Sequence, residues 1–231
     1  MTIPVVITSE HSSCRVPKKY RSLFPDDGAV LNSHRGWDPG VQHLEAAFSR
    51  RFDCEIFRGA VSRLLIELNR SPGHKKLYSE FSRQLPVPER RQLVEDFYQP
   101  YRAAIKEKIA SVLEDNDSCL HLSLHTFTPE LDGAVRNADI GFLYDPQRYQ
   151  EKKFADAWIS LLQRSGCQLR LRRNYPYQGK SDGLTTALRE EFGPDYRGIE
   201  LELNQAIAMD DRRAKSVCRQ LAETAYSLCS D

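Results

Sequence analysis

The chain has 231 residues, 40% of them hydrophobic and 28% charged, with 33 Lys and Arg against 32 Asp and Glu and a formal net charge of +1. That length suits one domain, residues 1–231, able to bury a sizeable core, and the composition excludes a disordered chain. The even charge balance gives no electrostatic case for a nucleic-acid or membrane partner, and no run approaches the roughly 20 apolar residues of a membrane span.

Met1 to Thr8 has neither a basic start nor a long apolar stretch, so no signal peptide is expected. Pro4 to Thr8 reads as a short buried strand running into a loop, Ser9-Glu10-His11-Ser12-Ser13-Cys14. Asp38-Pro39-Gly40 then predicts a helix start with Asp38 as N-cap, because Val41, Leu44, Ala47 and Phe48 follow at helical spacing. Cys54 to Phe57 and Leu64 to Leu68 are strand candidates. From Pro88 a long helix is expected, with Leu93, Phe97, Tyr101, Ile105 and Ile109 at spacing four and Pro100 set to kink or split it.

Leu120 to Leu124 and Ile140 to Tyr144 are the next strands, and Glu151 to Arg164 is an amphipathic helix. Gln168 to Arg172 is a strand candidate leading into a turn-rich loop, Asn174 to Gly183. Thr185 to Phe192 reads as a helix, Ile199 to Asn204 as a strand and Arg212 to Leu228 as a closing helix. Alternating strands and helices predict an α/β fold with a mainly parallel sheet covered on both faces. The six cysteines contain no C-x-x-C pair and read as reduced thiols of a cytoplasmic protein.

Chemistry enters where strands end. Read at period two, Ile199, Leu201 and Leu203 face one side of their strand, while Glu200, Glu202 and Asn204 face the other. In the run Leu120 to Thr128, His121 and His125 share one parity. His11, Asp38 and His125 all fall at or just beyond strand ends, where ligands bind in open α/β sheets. Two imidazoles and a carboxylate meet the needs of a catalytic zinc site with a position open for water. The alternative is structural: His11 caps a turn, Asp38 caps a helix, and His125 bonds a backbone carbonyl. No H-E-x-x-H motif decides between them.

Glu202 can serve as a general base for water, or pair with a nearby Arg; Glu200 competes for the same role. Arg63, Asn69 and Arg70 bracket the Leu64–Leu68 run. There an amide beside a guanidinium fork suits a carboxylate ligand, and a plain surface turn is the other reading. A nucleophile at Cys14 beside His11 is a further option without a supporting G-x-S-x-G elbow, and there is no phosphate-binding glycine motif.

Val5-Val6-Ile7-Thr8-Ser9-Glu10-His11-Ser12-Ser13 with Val16-Pro17, His34-Arg35-Gly36-Trp37-Asp38-Pro39-Gly40, Ser62-Arg63-Leu64-Leu65-Ile66-Glu67-Leu68-Asn69-Arg70-Ser71, Leu124-His125-Thr126-Phe127 and Ile199-Glu200-Leu201-Glu202-Leu203-Asn204-Gln205 together resemble the N-formylglutamate amidohydrolase family. The resemblance runs in order from about residue 4 to about residue 207. It implies a phosphorylase/hydrolase-like three-layer α/β/α fold, similar to zinc carboxypeptidases and aspartoacylases. It also implies a Zn2+-dependent amidohydrolase releasing a formyl or other acyl group from a small carboxylated amide.

Carried over residue by residue, the resemblance makes His11, Asp38 and His125 metal ligands and Glu202 the general base. Asn69 and Arg70, helped by Arg63, become the substrate-carboxylate clamp. The chain departs from the family at Pro176-Tyr177-Gln178-Gly179-Lys180-Ser181-Asp182-Gly183-Leu184-Thr185, where members acting on N-formylglutamate carry Gly-Gly-Tyr-Ile-Thr after Pro-Phe. It departs again at Ala206-Ile207-Ala208-Met209, where they carry Tyr-Met. Both stretches are where substrate would be read. A binding or regulatory protein that keeps the fold without hydrolysis is the competing expectation.

Overall fold

The computed structural model describes residues 2–25 and 28–230. Eight strands occur among them: β1 (Val5–Ser9), β2 (Ile56–Arg58), β3 (Cys119–Phe127), β4 (Glu130–Leu131), β5 (Ala134–Val135), β6 (Ile140–Leu143), β7 (Leu171–Arg173) and β8 (Tyr196–Asn204). The α-helices are α1 (Ala29–Asn32), α2 (Val41–Phe52), α3 (Val87–Leu93), α4 (Gln99–Asp115), α5 (Tyr149–Arg164), α6 (Leu184–Phe192), α7 (Gln205–Ala208) and α8 (Asp211–Ser230). Six strands form one sheet in the order β2-β1-β3-β8-β6-β7, while β4 and β5 make a separate antiparallel hairpin. All neighbours in the large sheet run parallel except β6 against β8.

Period-two patterning decides which face meets which helices. Leu120, Leu122 and Leu124 of β3 and Ile199, Leu201 and Leu203 of β8 all point into one core with α2, α5 and α8, and all are buried. Each such side chain contributes on the order of 1.5–3 kcal/mol when withdrawn from water. The opposite parity carries Cys119 and Tyr196 into a smaller core under α4 and α6. Helices thus cover both faces, giving the three-layer arrangement. That second face also carries His121, Ser123 and His125 of β3 and Glu200 and Glu202 of β8.

Two expectations need correction. Leu64 to Leu68 is not a strand: it turns, with Leu65 N and Ile66 N both donating to Ser62 O at 2.9 and 3.3 Å. Its apolar side chains are buried in a satellite core with Leu77, Leu93 and Tyr98, so burial without sheet pairing produced the strand-like pattern. Asp38 is not a helix cap either. α2 begins at Val41 behind Gly40, and no side chain caps it. The expected interruption near Pro100 takes the form of a π-helical turn, Val94–Tyr98, after which α4 restarts with Pro100 in its first turn.

Candidate metal centre and active site

Three chain segments converge at the carboxyl ends of the central strands. His11 lies two residues past β1, and His125 sits near the end of β3, in register with Glu202 of β8. Asp38 arrives from the loop before α2. Its backbone N–H donates to His11 O at 3.0 Å, and Thr126 Oγ1 donates to Pro39 O at 2.9 Å. Gly40 makes that approach possible: its φ is +86°, and a Cβ there would lie 2.6 Å from the carbonyl oxygen of Ala208.

The three predicted ligands meet. His11 Nδ1 is 3.2 Å from His125 Nδ1 and 3.5 Å from Asp38 Oδ2, and His125 Nδ1 is 3.0 Å from the same oxygen. All three residues are buried. These separations match the edges of a tetrahedron with metal bonds of ~2.0–2.1 Å, roughly 3.3 Å each.

The outer nitrogens show why a cation suits the centre. His11 Nε2 is 2.5 Å from Glu67 Oε1, and His125 Nε2 is 2.9 Å from Glu10 Oε2 and 2.8 Å from Ser123 Oγ. A ring that donates its Nε2–H to a carboxylate leaves a lone pair on Nδ1. Two such lone pairs and a carboxylate oxygen then face one point, so either protons or a metal ion must sit among them. Burial pushes both imidazoles toward neutrality, but Glu67 and Asp38 around His11, and Asp38 and Glu10 around His125, prevail and raise both above the usual histidine range. A metal ion held there would take the place of those protons.

Glu10 and Glu67 are the residues that sequence reasoning missed. Each orients a candidate ligand by accepting from its distal nitrogen, the arrangement that fixes tautomer and ring angle in metal sites. Burial alone would raise their carboxyls. The bond and charge of His125 hold Glu10 well below the usual range, and Arg63 and His11 do the same for Glu67. The available signal was Glu67 itself, a lone acid inside an apolar run, which must find a partner when buried. His121, on the same parity as His125, instead stays in the interior between Thr8 Oγ1 at 2.8 Å and the Tyr196 hydroxyl at 2.5 Å. Burial lowers it to about 4, so it is a neutral structural histidine at pH 7.

Glu202 stands in the opposite condition. It is 4% exposed, and among the described residues its Oε2 has no hydrogen-bond partner. Burial pushes its carboxyl up to about 7, with the Asp38 and Glu200 charges adding to the rise against His125 and His11. Glu200, two residues earlier, is half-buried and engaged: its Oε1 accepts from Thr185 Oγ1 at 2.5 Å.

Glu202 and the three candidate ligands line a cavity of about 510 Å³, which Arg63, Asn69 and Arg70 also line. Asn69 spends its Oδ1 on Leu184 N at 2.8 Å, and Arg70 donates from NH1 to the carbonyl of Asp182. Arg63 also braces the candidate ligand cluster: its Nε donates to Glu67 Oε2 at 2.9 Å and its NH1 to Asp38 Oδ1 at 3.4 Å. The Cys14 alternative finds no support, since both ring nitrogens of the neighbouring His11 are already engaged by His125 and Glu67.

A buried His-Asp-His cluster that could hold a metal thus shares one cavity at the strand ends with the buried Glu202 carboxylate. The sequence profile of the N-formylglutamate amidohydrolase family matches residues 3–209, and the chain belongs to that family. No curated protein matches the chain. Among solved structures, a gene product of Agrobacterium tumefaciens superposes with a TM-score of 0.82 at 27% identity, covering 98% of this chain and 92% of the other. An N-formylglutamate amidohydrolase from Ralstonia eutropha JMP134 follows at 0.73 and 18% identity, covering 99% and 93%, a likeness of fold.

Proposed function

We propose that this protein is a zinc-dependent amidohydrolase cleaving the amide of an N-formyl or N-acyl amino acid or a similar small carboxylated amide. The observation that carries the reading is Glu202, a buried carboxylate whose Oε2 has no hydrogen-bond partner among the described residues, in register with the candidate ligand His125. A structural acid in that position would be paired. Two imidazoles and one carboxylate form a donor set that suits zinc and leaves a coordination position free. Bound there, zinc supplies a Lewis acid for the scissile carbonyl and lowers the pKa of the attacking water toward ~7.

The chain's own residues supply the rest. Glu202 takes a proton from the attacking water at Oε2 and returns it to the departing amine nitrogen, a two-way task for which burial, by raising its carboxyl, suits it. Arg70, with Asn69 holding the start of α6 beside it, anchors the substrate carboxylate on the cavity wall. Arg63 offsets the charge of Glu67 and Asp38, so that two buried acids can coexist within one cluster. A cavity of about 510 Å³ fits a small molecule rather than a polymer.

The test pairs metal analysis with turnover. Glu202→Gln is expected to retain zinc at the wild-type ratio while losing hydrolysis across a panel of N-formyl, N-acetyl and longer N-acyl amino acids. Full activity in that variant removes Glu202 from the mechanism. A wild-type protein free of zinc and inert on the panel would favour the binding-protein reading.

A further inference from the structure

The mouth of the cavity is built from two segments that the proposed mechanism does not use. One is the β4–β5 hairpin, which stands apart from the large sheet; its tip, Asp132 and Gly133, is exposed at φ values of 52° and 78°. The other is the loop between β7 and α6. Leu131 of the hairpin and Tyr177, Gln178 and Ser181 of the loop line the cavity.

Two polar links join these segments. Arg136 NH1 donates to the Tyr177 hydroxyl at 3.1 Å and to Thr128 Oγ1 at 3.2 Å, and its guanidinium lies 5.1 Å from the Tyr177 ring centroid. The backbone N–H of Asn137 donates to the Tyr175 hydroxyl at 3.0 Å. The loop is braced from beneath as well. Asn174 Oδ1 accepts from Tyr144 N at 3.0 Å and Gly179 N at 3.1 Å, and Arg189 NH1 donates to Gly179 O at 2.5 Å. Arg189 is in turn fixed by Glu151 at 2.8 Å in a buried ion pair.

Tyr177 is therefore a partly exposed side chain that lines the cavity, held there by Arg136 on a loop braced at Asn174, Tyr175 and Gly179. Its oxygen already accepts from Arg136, which leaves its own hydroxyl proton to be donated elsewhere. Burial raises its pKa, with the Glu202 charge adding, so the phenol stays protonated at neutral pH.

From this arrangement we infer that Tyr177 is a substrate-contacting, specificity-determining residue. It donates its hydroxyl hydrogen to an acceptor oxygen of the amide substrate, and Arg136 acts as the positioning residue that holds it there. The inference rests on the amidohydrolase reading and adds to it the residue that selects among N-acyl amino acids.

Steady-state kinetics of zinc-loaded wild type, Tyr177→Phe and Arg136→Met on the N-acyl panel test it. Tyr177→Phe is expected to raise KM on the preferred substrate roughly tenfold while kcat stays within about twofold, as expected when binding shared by ground and transition states is lost. The ratio of kcat/KM between preferred and poor substrates should shrink in both variants. A merely structural role would lower the active fraction and leave that ratio unchanged. Folded variants that keep the wild-type ratio and KM overturn the inference while the amidohydrolase reading stands. A wild type inert on every amide overturns both.

Discussion

The acids of this site divide into two populations, and the division teaches more than their number. Glu10, Glu67 and Asp38 are each surrounded by polar partners and held well below the usual carboxylate range despite burial. Glu202 is equally withdrawn from water, lacks a donor on Oε2 and is raised to about 7. Burial is common to all four; only the partners differ. On the proposed function, the carboxylates that hold histidines are given cations and hydrogen bonds, whereas the one that exchanges a proton near neutral pH is denied them.

The contrast breaks most visibly at Glu202. Glu202→Gln keeps the shape and removes the titrating oxygen, so turnover should fall by roughly 10²–10⁴-fold, the usual share of general acid–base catalysis, with zinc content unchanged. Metal analysis beside an activity assay separates the two populations at once. Loss of metal in this variant would move Glu202 into the same group as Glu10 and Glu67.

Glu67→Gln attacks the other population and should move the other readout. Its oxygens hold His11 Nε2 at 2.5 Å and the Arg63 guanidinium, so the amide loses the charge that orients both. Zinc affinity should drop about 10–100-fold, measured by competition with a chromogenic chelator. Activity should return when zinc is supplied in excess. Unchanged affinity would reduce Glu67 to a packing residue.

pH sharpens the same comparison. Glu202 works as a base only when ionised, and its raised pKa means the protonated form accumulates as pH falls toward 7. kcat/KM should therefore show an acid limb falling about tenfold per unit below the Glu202 pKa. A bound cation favours the carboxylate and moves that limb below about 7. The limb should be missing from the residual activity of Glu202→Gln.

The fold and the site were legible to different depths for physical reasons. Strands β1 and β6 announce themselves as short apolar runs, and β3 and β8 by one wholly apolar parity, so the central sheet and the shared polar face of His125 and Glu202 followed from the pattern. Leu64 to Leu68 has equal hydrophobicity yet forms turns, because a satellite core can bury an apolar run without sheet pairing. Asp38 follows a helix-start grammar in sequence, but its carboxylate accepts from Thr126 N at 3.1 Å on a strand far along the chain, which local spacing cannot encode. The role of Glu10 and Glu67 was hidden for the same reason: each is defined by a partner, and His125 lies 115 positions beyond Glu10.

Glu200→Gln is the smallest change and the most discriminating control. Glu200 shares a strand, a face and the cavity with Glu202, so sequence alone offered both as the base. The structure separates them by their partners. Thr185 Oγ1 donates to Glu200 Oε1 at 2.5 Å from the first turn of α6, and His125 is in register with Glu202, not with Glu200. An acid tied to a helix in this way stabilises where the strand meets the helix. A glutamine carbonyl can still accept the threonine hydrogen, so kcat/KM should stay within about threefold of wild type, with the acid limb intact. Because the negative charge of Glu200 helps raise Glu202, its removal should move that limb slightly to lower pH. A collapse of activity comparable to that of Glu202→Gln would mean that the proton is shared between the two carboxylates, and the division into bound and bare acids would fail on β8 itself.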